Sequence, residues 1–287
     1  MFVHLRNHTH YSLLNALPKV DALVKKVKQV GMQAVAITDY NNMYGTIEFY
    51  SLCKKQEIKP IIGVEFSLQF NERTFQIVLI ARTTEGYKNL MRIVSIVNLD
   101  NPLHPVLTDS ILSTYKDGLT VLSGGALGDV NNLLVINKEE ALKRLAFYKE
   151  HFGENYYLEI NPQTKMEYGK ELRTKTIEFA RETNTPLVAT CNTHYLNDQD
   201  KSAHKTLFLV HGDESSLDEY NHRFQKDSFA FTDTKGTEEL FKDIPDAIEN
   251  TIKIAESCTL EIPLGAWVFP NIEFKKRIFG KQDNRRN

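Results

Sequence analysis

Two histidines one residue apart stand near the start of the chain, in "LRNHTHYS" (5–12). In an extended strand, residues i and i+2 face the same way. Imidazoles at that spacing can share one metal ion. Other candidate ligands follow short apolar runs. Asp39 follows "AVAIT", Glu65 lies in "IIGVEF", and Cys191, Asn192 and His194 follow "PLVAT". In parallel α/β folds the functional site gathers at the C-terminal ends of strands. A His, Asp and Glu set at several strand ends is the donor set divalent metals take. The same residues also serve as hydrogen-bonded or solvated groups with no metal. Other chemistries find less support. There is no GxGxxG, no phosphate loop of the GxxxxGK type and no GxSxG elbow. "LSGGALG" (122–128) could hold an anion at a helix N-terminus, but a tight turn is the better reading of it.

The elements that must position these residues alternate. "FVHL" reads as a first strand, and "VDALVKKVKQV" places Val20, Leu23, Val24, Val27 and Val30 on one helical stripe ended by Gly31. Strands are expected at "AVAIT", "KPIIGVEFSL", "FQIVLIA", "GLTVLSG", "NYYLEI" and "TPLVAT", with helical segments between. Such alternation indicates an α/β fold with a mainly parallel sheet, either a barrel or an open sheet. From residue 200 onward, "KSAHKTLFLVHG" and "TEELFKDIPDAIENTIKIAES" read as helices that close the domain, and 271–287 as a basic, disordered tail.

Composition bounds the partners. The 287 residues carry a net charge of −2, which gives no global attraction to nucleic acid. The three cysteines form no CxxC pair, which fits a reducing cytosol, and no apolar run approaches the length of a membrane span. The N-terminus lacks a signal-peptide layout, so a cytoplasmic location is expected.

The ordered stretches "FVHLRNHTHYSLLNAL", "AVAITDYNNMYG", "IKPIIGVEF", "IVLIARTTEGYKNLMRIVS", "GLTVLSGGALGDV" and "VATCNTHYL" resemble the PHP (polymerase and histidinol phosphatase) domain of bacterial DNA polymerase III alpha subunits. The resemblance covers about residues 2–274. It implies a distorted seven-stranded (β/α) barrel over 1–200, with a helical part over 201–270 leading toward a polymerase palm. Active members of the family hold a metal cluster. The family's ligand positions fall here on Arg6, His8, Asn15, Tyr40, Glu65, Gln76, Gly125, Asn192 and His194. Only His8, Glu65 and His194 keep a ligand type, and His10 lies out of register with the family's His pair. The resemblance therefore implies remnants rather than a working cluster, with no cofactor or at most one weakly bound Zn²⁺ or Mn²⁺. It implies a scaffold role within a DNA-directed DNA polymerase, with the rest of the alpha subunit and a proofreading or other replisome subunit as partners. DNA would be met only through the parent polymerase. The alternative is a metal-dependent phosphoesterase or 3′–5′ exonuclease. Arg6 is expected to replace the metal's charge by pairing with Glu65 or, failing that, with Asp39.

Overall fold

The computed structural model describes residues 1–165, 169–210 and 214–265. The stretch at 267–274 and the tail at 271–287 lie outside the described residues. Helix α1 (Val20–Gln29) leads into β1 (Ala34–Ile37), and α2 (Thr46–Lys55) into β2 (Lys59–Phe70). A tight turn joins β2 to β3 (Arg73–Ala81), and both central residues, Asn71 (φ 48°) and Glu72 (φ 61°), are left-handed. That twist suits a two-residue hairpin. Next come α3 (Thr84–Asp100), α4 (Asp109–Thr114), β4 (Leu119–Leu122), α5 (Asp129–Ile136), α6 (Lys138–Phe152) and β5 (Tyr156–Ile160). Then follow α7 (Gly169–Glu182), β6 (Leu187–Ala189), α8 (Lys201–Leu209), α9 (Glu214–Arg223), α10 (Thr234–Leu240) and α11 (Pro245–Ser257). Thr83 caps α3, Asn137 caps α6, and Pro245 opens α11, where its missing N–H costs nothing.

The described strands form one curled six-stranded sheet in sequence order. Only β3 runs against its neighbours, because a hairpin rather than a helix joins it to β2. The expected seven-strand count is not what is found. "FVHL" is not a regular strand: His4 makes a single bridge with Val35 of β1, and Asn7, just after it, makes another with Thr193, past the end of β6. The Asn7 side-chain amide takes the Ala36 carbonyl (2.9 Å), which a backbone N–H would bond in a continuous parallel ladder. Side-chain competition of this kind breaks a ladder locally.

The two faces of the sheet are divided by the period of two. Val35, Ile37, Ile62, Val64, Phe66, Ile77, Leu79 and Val121 face the surrounding helices. The inward face is apolar at one end, where Ile61, Val78, Ile80, Leu122 and Val188 pack with Ile254 of α11 and with Cys258, which follows that helix. At the other end the same faces carry Glu65, four residues after Ile61, Gln76, two residues before Val78 on the antiparallel β3, and Glu159 of β5. Among the described residues no helix is long and apolar enough to cross a membrane.

Candidate functional site

The polar end of the sheet's inward face centres on Arg6. Its side chain is 1% exposed, and those of Glu65 and Glu159 are fully buried. The guanidinium forks onto Glu65, with Nε to Oε2 and Nη2 to Oε1 both at 2.6 Å. Nη1 donates to Glu159 Oε1 (2.8 Å) and to the Gly124 carbonyl (3.1 Å), and Nη2 donates to Gln76 Oε1 (2.9 Å). Gly124 sits at φ +81°, and a Cβ there would lie 1.9 Å from the Gln76 carbonyl oxygen, so only glycine lets this turn reach the guanidinium. Burial alone would push the Glu65 carboxyl up; the Arg6 charge and the neighbouring His8 outweigh it and hold the carboxyl at about 2. Arg6 is raised above the ordinary arginine range: burial opposes its charge, but Glu159 and Glu65 more than offset that.

His8 lies beside this pair. Its Nε2 is 3.1 Å from Glu65 Oε2 and 3.2 Å from Asn192 Oδ1. Its Nδ1 is 3.2 Å from Ser12 Oγ, whose own proton goes to Asp39 at 2.6 Å. Both ring nitrogens thus face acceptors. The ring stacks on Tyr40 (4.3 Å) and on His194 (4.4 Å), whose own centroids are 6.0 Å apart. His194 donates from Nδ1 to the Asn15 carbonyl (2.8 Å), and its Nε2 is buried without a hydrogen-bond partner. Burial, then the nearby His8 and His204, hold His194 well below the ordinary histidine range.

The remaining candidates take other roles. Asn15 contributes its backbone carbonyl, which also accepts from His204 Nε2 (2.9 Å), while its side chain turns to the Leu13 carbonyl. Tyr40 covers His8 and accepts from Arg223 Nη2 (3.2 Å). Asn161 Oδ1 occupies the space in front of Gly125, 1.7 Å from where a Cβ would sit. Asp39 does not pair with Arg6; it accepts from the Thr9 backbone (2.6 Å), the Thr9 hydroxyl (2.7 Å) and Ser12. It thereby holds the loop that carries His8. His10 leaves the site and packs on Tyr11 (4.2 Å). Cys191 is buried, and its thiol is pushed up to about 12.

Sequence reasoning missed Glu159, Asn161, His204 and Arg223. Glu159 had a readable signal, a carboxylate next to last in the apolar run "NYYLEI". It also accepts from the Thr190 hydroxyl, Asn161 Nδ2 (2.9 Å) and the Gly124 amide (3.1 Å). Arg223 and His204 come from α9 and α8, which carry no ligand pattern.

This donor set does not fit a metal cluster of the kind held by the family's active members. Both oxygens of Glu65 are engaged by a group that cannot be deprotonated. Among the described residues no group of three or more His, Cys, Asp and Glu is arranged to hold a metal ion. The cavity against Arg6, lined by Asn161, Gln163, Asn192 and Arg223 among others, measures about 20 Å³, room for one water.

The family model for the PHP domain matches residues 4–163. The DNA polymerase III alpha subunit of Vibrio cholerae is 32% identical over 276 residues, covering 94% of this chain and 24% of that protein. That of Helicobacter pylori (strain 26695) is 34% identical over 283 residues, covering 92% and 23%. The chain therefore spans less than a third of the length of these relatives. An amidohydrolase from Chromobacterium violaceum, solved with bound sulfate and no metal, superposes with a TM-score of 0.50 at 10% identity. It covers 68% of this chain and 88% of its own, and shows the fold alone. On the matched family model and these relatives, the chain belongs to the PHP domain family and is homologous to the PHP region of bacterial DNA polymerase III alpha subunits.

Proposed function

We propose that this chain is a metal-free PHP barrel that acts as a rigid support within a replicative DNA polymerase, not as a hydrolase. The observation that carries the reading is the Arg6 guanidinium forked onto Glu65, 2.6 Å from each oxygen. Metal-assisted hydrolysis needs a bound water with a lowered pKa, and that needs ligands free to hold a cation. The small cavity against Arg6 supports the same reading, since a phosphate ester does not fit where one water does. His8, Glu65 and His194 are then remnants of a ligand set, with at most one loosely held Zn²⁺ or Mn²⁺. In this reading residues 1–200 are the barrel and 201–270 the helical part leading toward the palm. The partners are the remainder of the alpha subunit and a proofreading or other replisome subunit, in the cytoplasm. Polymerase activity, which needs palm carboxylates to hold Mg²⁺, is assigned in this reading to the parent polymerase and not to the PHP region.

A second reading, a metal-dependent phosphoesterase or 3′–5′ exonuclease, has one observation in its favour: the buried, unpartnered Nε2 of His194. Elemental analysis of the purified chain, with phosphomonoester and single-stranded DNA hydrolysis assayed in Mn²⁺, separates the two. Two or more tightly held transition metals per chain, or hydrolysis that survives repurification, would overturn the scaffold reading.

A further inference from the structure

Every N–H of the Arg6 guanidinium has its own oxygen acceptor. Nε meets Glu65 Oε2, Nη1 meets Glu159 Oε1 and the Gly124 carbonyl, and Nη2 meets Glu65 Oε1 and Gln76 Oε1. A guanidinium has five donors in a fixed planar fork, and here none is left over. The acceptors come from β2, β3, β5 and the turn after β4, so the slot is built by the sheet and not by the neighbours of Arg6 in sequence. Both carboxylates are held from behind. Glu159 is fixed by Thr190, Asn161 and the Gly124 amide, and Glu65 by His8.

We infer that the polar end of the barrel is a preformed guanidinium-binding slot, with Arg6 as its covalently tethered ligand. This goes beyond the scaffold reading: that reading needs only that the metal site not work, whereas the slot assigns a ligand class. An ammonium supplies the same charge but only three donors, with no planar fork. The slot therefore selects a guanidinium over any other monocation. Removing the Arg6 side chain vacates the slot itself and joins that space to the cavity beside it, which Arg6 lines.

The test is chemical rescue of Arg6→Gly in the full chain, followed by thermal melting. Ethylguanidinium at low millimolar concentration should raise the melting midpoint saturably, by ~4 °C or more when the slot is filled. Ethylammonium at equal concentration should not, and neither compound should raise the wild-type midpoint. Arg6→Lys should remain well below wild type. An equal response to the two cations, no response in a soluble Arg6→Gly protein, or an Arg6→Lys protein melting with wild type would overturn the inference. If Arg6→Gly does not fold, Arg6→Met and Arg6→Met/Glu65→Gln are compared instead. Emptying the slot strands two carboxylates, so the double variant should melt higher, and a lower or equal midpoint would overturn the inference. Failure of rescue leaves the absence of hydrolysis untouched, and detected hydrolysis leaves rescue untouched, so the two readings fail separately.

Discussion

Two buried arginines each hold two carboxylates in this molecule, and they are built differently. Arg6 lies inside the curve of the sheet against Glu65 and Glu159, both fully buried. Arg144 of α6 lies outside the sheet, against buried Asp129 and against Asp109, whose side chain is 36% exposed. Arg144 is also faced by aromatic rings, with Phe70 at 4.3 Å, Tyr148 at 4.6 Å and Phe147 at 4.8 Å. Part of its charge is thus met by ring faces and part by a carboxylate that water reaches. Both carboxylates on Arg6 are instead closed off from water. The outer cluster staples the tip of the β2–β3 hairpin to α4, α5 and α6, and it can loosen gradually. The inner one has nothing to fall back on if one member is lost.

The largest effect should come from emptying the inner cluster. Arg6→Ala should destabilise the fold by ~3–5 kcal/mol, as expected when one partner of a buried pair is removed. Equilibrium denaturation checks this. A loss under ~1 kcal/mol, the range of an exposed pair, would mean that the carboxylates are hydrated or protonated in the variant at little cost.

Acid should then discriminate between the two regions. His4 is fully buried, and burial, only partly offset by its bond to the Thr232 carbonyl, brings it down to about 4. Its folded value lies below its unfolded value of 6.5, so the stability it contributes is complete above pH 6.5 and is lost as pH falls through 4. The loss should be on the order of 3 kcal/mol. Glu65, at about 2, keeps its contribution down to far lower pH, since that contribution is complete above 4.5 and is lost only as pH falls toward 2. Hydrogen exchange between pH 7 and 4 should therefore show the N-terminal segment loosening before the helices around Arg144. Simultaneous loosening would contradict this.

Much of the inner cluster was legible in the sequence because it obeys the period of two. Glu65 falls on the inward face of an apolar strand, and the resemblance placed Arg6 opposite it. Glu159 obeys the same period but belongs to no ligand pattern, so nothing marked it. The first strand was read as regular because "FVHL" is apolar, and a side chain, Asn7, turned out to take a ladder carbonyl. Tertiary competition of that kind has no signature in hydrophobic spacing. Nor does the Arg144 cluster: Phe70, Asp109, Asp129 and Arg144 are far apart in sequence and meet only because the hairpin tip folds over α6.

Within the inner cluster, Glu159→Gln should cost less than the loss of Arg6. The carboxylate accepts from Arg6, Thr190, Asn161 and the Gly124 amide, all donors. An amide keeps one acceptor oxygen but turns an NH₂ toward at least one of these donors. The cost should be ~1.5–3 kcal/mol, the range for hydrogen bonds to charged groups. A double-mutant cycle with Arg6→Met should give a coupling of similar size, and additive effects would show that Glu159 acts only through Thr190 and Asn161.

The smallest effect should be Asp109→Asn, and it sharpens the contrast best because it removes the equivalent partner from the outer cluster. Asp109 meets Arg144 through two bonds, at 2.6 and 2.7 Å, a geometry as good as that of Glu65 on Arg6. Geometry alone would predict equal costs. Exposure predicts otherwise: a carboxylate that is one-third in water is screened and was cheap to hold in place, so its removal should cost no more than ~1 kcal/mol. Arg144 would also keep Asp129, the Tyr148 hydroxyl and its ring contacts. Denaturation of Asp109→Asn beside Glu159→Gln therefore compares two single-charge deletions that differ chiefly in burial. A cost for Asp109→Asn equal to or above that for Glu159→Gln would mean that burial does not set the difference between the two arginines.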